Sequence, residues 1–159
     1  AFRRFVSALR KKLHNPALPI LTAQLNRYVG DADESAAHAN WEAMREIQRQ
    51  LARTIPGVFL IPTSDIGLSD GIHNNSSGNL VIGSRFARTA LGGVYGHSVK
   101  CLAPDLHKVV RLSPTEIELH FENVDERLEF GVNSRRHWPF SVSDAGGSIE
   151  LTACHTPTN

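Results

Sequence analysis

Cysteine, aromatic residues and charge imbalance are all scarce in this chain of 159 residues. Its two cysteines, Cys101 and Cys154, form no Cys-x-x-Cys pattern and define neither a disulfide framework nor a redox compartment. They pair only if the fold brings them together. A net charge of +1, from 17 Lys and Arg against 16 Asp and Glu, gives no electrostatic footing for nucleic acid or an acidic membrane surface. No apolar run approaches the roughly 18–20 residues that span a bilayer. Internal repeats and low-complexity tracts are absent too, and no residue pattern calls for a cofactor. What is present is ordinary for a soluble globular chain, with 41% hydrophobic and 21% charged residues. The length suits one compact domain, or a small domain with an appendage.

The chain opens on Ala1-Phe2-Arg3-Arg4-Phe5-Val6, with no methionine. Phe2, Phe5, Val6, Leu9 and Leu13 already fall at helical spacing, and the stretch is too basic to be a signal peptide. The expectation is a truncated chain, with something folded upstream. Asn15-Pro16 breaks the helix. Pro19 to Leu25 then reads as a mostly apolar strand, of the kind covered on both faces in a parallel sheet. An acidic loop follows (Gly30 to Glu34). Trp41, Met44, Ile47, Leu51 and Ile55 next predict one apolar helix face, closed by Pro56-Gly57.

Val58 to Ile61 is a second apolar run, bounded by Gly57 and Pro62, and predicts another buried strand. A loop over about Thr63 to Ser76 leads to a third helix, capped near Ser77 and stopped at Gly92-Gly93. Helix, strand, helix, strand, helix implies parallel strands with crossover helices, the last portion of a doubly wound α/β sheet. Past Gly93 the pattern changes. Lys108 to Leu112 is a strand candidate, and Glu116 to Phe121 alternates with Ile117, Leu119 and Phe121 on one face. Leu128 to Phe130, Phe140 to Val142 and Ser148 to Leu151 complete a small antiparallel β segment. The expected division is therefore 1–92 and 93–159.

In open α/β sheets ligands bind beyond the carboxyl ends of the strands. The loop after the second strand lies there and contains Asp70-Gly71-Ile72-His73. Histidine is the general base suited to neutral pH, and a carboxylate fixes its tautomer and stabilises its cation. Spaced three apart, with Gly71 easing a turn, Asp70 can reach the ring of His73 and serve a hydroxyl nucleophile supplied from elsewhere. An Asp-Gly turn before a helix also occurs with no chemistry attached.

The run Asp70-Gly71-Ile72-His73-Asn74-Asn75-Ser76-Ser77-Gly78 resembles the last conserved block of the SGNH hydrolases. It is most similar to their sialate O-acetylesterase-like carbohydrate esterases, a branch that includes acetylxylan esterases. Pro19 to Leu25 is similar to the preceding strand of that branch, and Trp41 to Gln48 to its helix. Phe121 to Val124 is similar to the β segment that follows, so the likeness runs roughly from Phe2 to Val124. The resemblance implies that His73 is general base and then general acid, and that Asp70 orients it. It implies serine attack on acetyl esters of sugars, with an acyl-enzyme cleared by water, and an extracellular or periplasmic setting.

The sequence departs from that pattern as well. The family's Gly-Gln-Ser-Asn-like nucleophile segment and its Gly and Asn oxyanion blocks are absent, and no serine stands in a Gly-x-Ser-x-Gly or Gly-Asp-Ser setting. Ser64, Ser69, Ser76 and Ser77 read as turn and cap residues, and Asn26 does not fit the missing Asn block. This chain alone is therefore expected to have negligible esterase activity. His97, Cys101 and His107 lack a fourth convergent ligand for zinc. His38, His120, His137 and His155 read as surface or strand residues, and Trp138-Pro139-Phe140 as self-packing rather than sugar-stacking.

The reading is an α/β chain: the C-terminal part of an SGNH carbohydrate O-acetylesterase followed by a β-rich segment. Its partner is an acetylated carbohydrate. Half a sheet would also expose an apolar edge, so association with an upstream part or with itself is expected. Two rivals stand beside this reading. One is a non-catalytic carbohydrate-binding or interaction module, and the other an SGNH esterase for lipid or thioester acyl groups.

Overall fold

The first apolar stripe folds as helix α1 (Phe2–Lys12), in a computed structural model that describes residues 1–30, 35–128 and 140–154, the side chain of Ser35 excepted. Val6 is 1% exposed and packs on Ile55 and Val58, with Phe2, Ile20, Leu51 and Ala52 around them. Arg10, Lys11 and Lys12 fill the last turn, where cations complement the helix dipole. The Arg10 guanidinium donates to the Leu18 carbonyl at 3.0 and 2.9 Å and to the Pro56 carbonyl at 2.8 Å. It thereby fastens the chain entering each of the two strands that follow.

Those strands, β1 (Ile20–Ala23) and β2 (Val58–Ile61), pair in parallel with Ile20 opposite Val58 and Ala23 opposite Ile61. The crossover between them contains helix α2 (Ser35–Thr54), and Gly57, at φ 70°, turns the chain into β2. Neither strand is covered on both faces as its apolar run suggests. β1 is half-buried throughout, and β2 is buried only at Val58 and Ile61. The sheet has two strands among the described residues; α3 touches both of them, and Ile20 at the start of β1 packs against α1.

The expected apolar face of α2 needs correction. Met44 and Ile47 are 48% and 52% exposed, and the sheltered positions include Trp41, Arg45, Gln48, Leu51, Ala52 and, just past the helix, Ile55. The reason lies in hydrogen bonds to the end of β1. The Gln24 side chain donates to the Arg45 carbonyl at 3.2 Å, and the Leu25 amide donates to the Gln48 side chain at 2.7 Å. The Gln48 side chain satisfies a strand-end amide that an apolar residue there would leave unpaired, whereas Arg45 serves Gln24 through its backbone carbonyl alone.

Helix α3 (Ser76–Thr89) is capped by Asn75 rather than Ser77, because the Asn75 Oδ1 accepts the Gly78 amide at 2.7 Å and the Ser77 hydroxyl at 2.9 Å. It does not stop at Gly92-Gly93 either, but runs on through a π-helical turn, Ala90–Val94. A Cβ on Gly92 would meet Cys101, and one on Gly93 would meet the ring of Phe59 at 2.7 Å. These glycines admit close neighbours instead of ending the helix. The Cys101 carbonyl accepts the Thr89 hydroxyl at 3.1 Å, so residues up to 103 fold back on α3.

The chain forms two units, Ala1–Ala103 and Pro104–Asn159. Among the described residues the second holds two antiparallel hairpins, β3 (Asp105–Ser113) with β4 (Glu116–Glu122), and β5 (Val142–Asp144) with β6 (Gly147–Ile149). Leu119 and Phe121 are half-buried on the expected face, whereas Ile117 is 44% exposed. Phe140 lies 6.3 Å from Phe121, ring to ring. Strand candidate Leu128 to Phe130, His137, Trp138-Pro139 and His155 fall wholly or partly outside the described residues. Mixed helices and small sheets make this an α/β chain. Among the described residues no helix is long and apolar enough to cross a membrane.

Candidate active site

The connection from β2 to α3 is built from its base upward. Thr63, 1% exposed, donates its hydroxyl to the Gln24 carbonyl at 2.8 Å, joining the ends of both parallel strands. Ile66 is buried beneath the first turn of α3, and a Cβ on Gly78 would collide with its Cγ2. Arg85 of α3 reaches back to Asp65 with a bidentate pair at 2.8 and 2.5 Å and donates to the Pro62 carbonyl at 2.8 Å. The guanidinium beside it holds the Asp65 carboxyl below the ordinary carboxylate range, and Asp65 raises Arg85 in turn.

Above that base the chain narrows to a small closed loop. Leu68 bridges Asn74, and the Ser69 amide donates to the His73 carbonyl at 2.8 Å. Inside it, Oδ1 of Asp70 accepts the Ile72 and His73 amides at 2.8 and 2.7 Å. Its Oδ2 is left to face His73 Nδ1 at 2.7 Å. Those two amides, then the imidazole, hold the Asp70 carboxyl at about 2 against an ordinary 3.8. An ionised carboxylate only accepts, so the neutral ring carries its proton on Nδ1 and presents a free lone pair at Nε2. The structure thus brings together the two residues singled out by their spacing. Both remain exposed, His73 at 71% and Asp70 at 54% of their side chains.

Two features were not legible in the sequence. Asn26, just past β1, is 9% exposed, and its side-chain amide donates to the Ile72 carbonyl and, at 2.9 Å, to Asn74 Oδ1. The indole N–H of Trp41 donates to the Asn26 carbonyl. A buried asparagine just past a strand is the sequence signal, but its partners lie too far along the chain to be inferred. The second feature is a shallow cavity of about 80 Å³ lined by Arg27, Tyr28, His38, Trp41, Glu42 and Arg45. There the Tyr28 ring meets His38 edge-on at 4.9 Å and Trp41 at 5.3 Å, so His38 is half-buried rather than a plain surface residue.

Other candidates take ordinary places. The Ser69 hydroxyl donates to the His73 carbonyl at 3.2 Å, and Ser77 supports the cap. His107 lies 3.6 Å from Glu122 and His120 lies 2.8 Å from Glu118, as surface pairs on the β3–β4 hairpin. Among the described residues no three His, Cys, Asp or Glu are grouped to hold a metal ion. Cys101 and Cys154 are both free.

Residues 1–92, which include the whole Asp70–His73 loop, match the family model described as carbohydrate esterase, sialic acid-specific acetylesterase. The chain belongs to this family. It is therefore a member of a group of esterases whose reaction is removal of acetyl groups from carbohydrate. The match ends at Gly92, short of the likeness noted at Phe121 to Val124. No curated protein and no solved structure matches the chain.

Proposed function

We propose that this carbohydrate esterase is a serine hydrolase of the SGNH type, and that His73 is its general base and Asp70 the carboxylate that orients it. On this reading 1–92 is the C-terminal portion of a doubly wound esterase domain, and 93–159 is a β-rich segment attached to it. The nucleophilic serine and the oxyanion donors come from outside this sequence. One observation carries the reading: the 2.7 Å contact between Asp70 and His73 Nδ1, on the loop that leaves the carboxyl end of a parallel strand.

The chemistry follows from the tautomer. Nε2 of His73 takes the proton of the serine hydroxyl as its oxygen bonds to the acetyl carbonyl carbon. Asp70, ionised at every pH of interest, stabilises the imidazolium that forms. The protonated Nε2 then gives its proton to the departing sugar oxygen as the ester C–O bond breaks, leaving acetyl-serine. Water, deprotonated by the same nitrogen, attacks the acetyl group. Collapse releases acetate and returns the proton to serine. The partner is an acetylated sugar, and the chain associates with the part that supplies the nucleophile, or with itself.

The test is hydrolysis of p-nitrophenyl acetate by this chain and by a chain extended upstream to the nucleophile. Turnover is expected only in the extended protein, with His73→Ala lowering it by about 10⁶-fold while leaving thermal unfolding unchanged. Turnover by this chain alone, lost with His73→Ala, would place the nucleophile among its own serines. Turnover untouched by His73→Ala would remove the dyad from the mechanism.

A further inference from the structure

Asn26 takes no part in these proton transfers, yet its buried amide lies against the loop that performs them. Around the base, three successive carbonyls each meet a donor. The Gly71 carbonyl accepts the Val29 amide at 2.9 Å, the Ile72 carbonyl accepts the Asn26 side chain, and the His73 carbonyl accepts the Ser69 amide at 2.8 Å. Gly71 also has no room for a side chain, since a Cβ there would stand 2.8 Å from the Val29 carbonyl oxygen. The backbone beneath the imidazole is therefore pinned along its length. The segment after β1 contributes to this through one amide and one side chain.

That side chain has a particular chemistry. A carboxamide nitrogen carries two hydrogens, and Asn26 aims them at two acceptors, the Ile72 carbonyl and Asn74 Oδ1, which belong to the neighbours of His73 on either side. Its own backbone carbonyl is fixed by the Trp41 indole, which anchors the strand end to α2. An aspartate of the same shape has no hydrogen to give at neutral pH. It would set a negative charge against two oxygen acceptors.

We propose that Asn26 is a positioning residue for His73, holding the backbone carbonyl before the base and the Asn74 side chain after it so that Nε2 stands at one place relative to the nucleophile. This inference rests on the reading of His73 as general base. Misplacing a catalytic group by about 1 Å costs on the order of 100-fold in rate. Asn26→Asp in the upstream-extended esterase is accordingly expected to lower kcat by about 100-fold with KM unchanged.

Purely structural damage would not give that split, and a spectroscopic readout on this chain needs no nucleophile. In the parent the ring nitrogens of His73 should report a single Nδ1–H tautomer by ¹⁵N NMR. In Asn26→Asp those resonances should broaden or split, as the loop beneath the ring takes more than one position. Retention of kcat within threefold, or an unchanged His73 ring signal, overturns the proposal. If Asn26→Asp does not fold, Asn74→Ala decides, because it removes one of the two acceptors and leaves Asn26 in place. A fall in kcat at constant KM supports the proposal, and parental kcat overturns it. His73→Ala separates the two failures. If it abolishes turnover while the Asn26 and Asn74 variants do not, positioning alone is wrong. If it leaves turnover intact, the reading of the base is wrong.

Discussion

Asp70→Asn is the substitution that interrogates the tautomer directly. Oδ1 of Asp70 caps the Ile72 and His73 amides at 2.8 and 2.7 Å, and asparagine keeps an oxygen for that purpose, so the loop should survive. Oδ2, however, becomes an NH₂ group pointing at His73 Nδ1 from 2.7 Å. Two donors cannot share that contact. The imidazole must turn Nδ1 into an acceptor and move its proton to Nε2, the atom that accepts the serine proton in the proposed mechanism. The base is then in the wrong form, and the cation it must become loses its carboxylate. A loss of about 10⁴ in kcat follows, or about 5.4 kcal/mol in barrier height.

The assay for this variant is steady-state acetate release by the extended protein from p-nitrophenyl acetate and from an acetylated sugar. The nitrophenolate leaving group needs no proton whereas the sugar oxygen does, so the loss should be at least as large on the sugar. Thermal unfolding monitored in parallel should be unchanged. A folded Asp70→Asn variant whose kcat stays within tenfold of the parent on both substrates would refute the argument from the tautomer.

Other expectations concern this chain by itself. Alanine at two glycines of α3 should act in opposite directions: Gly83→Ala, with open space around its Cβ, should stabilise by up to about 1 kcal/mol. Gly78→Ala forces a methyl into Ile66 and should destabilise by about 1–3 kcal/mol, and urea unfolding that gave both the same sign would contradict the packing described. With its pKa depressed to about 2, Asp70 should titrate by carbon-13 NMR well below the ordinary 3.8. Its contribution to stability is therefore present in full above about pH 4 and lost as pH falls through about 2, and a midpoint near 4 would show that the two amides do not hold the carboxylate. Exposed Phe5, Met44, Ile47 and Leu80, together with the half-buried β1, should make the chain self-associate, and a clean monomer by light scattering at high concentration would argue against it.

The alternation of helix and strand in the first unit was legible because each element announces its own period. Val58 to Ile61 is bounded by Gly57 and Pro62, and Phe2, Val6 and Leu9 mark a turn-by-turn stripe. The Asp70–His73 contact was legible for the same reason, since a spacing of three residues closes within one turn of chain. Periodicity misled where tertiary hydrogen bonds outweighed apolar burial. α2 turns Gln48 to the end of β1 because the Leu25 amide there takes its side chain as acceptor. Asn75 and Ser77 are both good cap residues, and only the backbone path into α3 selects the asparagine. Asn26 was beyond reach because its partners, Ile72 and Asn74, are brought to it only when β1 and β2 align.

The closed loop around Asp70 also bears on the order in which the protein forms. The contacts that join carboxylate to imidazole link residues two or three positions apart, whereas β1 must find β2 across the whole of α2. Short loops close in roughly 10–100 ns, and pairings between distant segments wait on much larger entropic costs. The contact between His73 and Asp70 is thus a local event, which needs no pairing of β1 with β2. What the longer-range pairing adds is the support beneath this loop, through Asn26 and the Val29 amide.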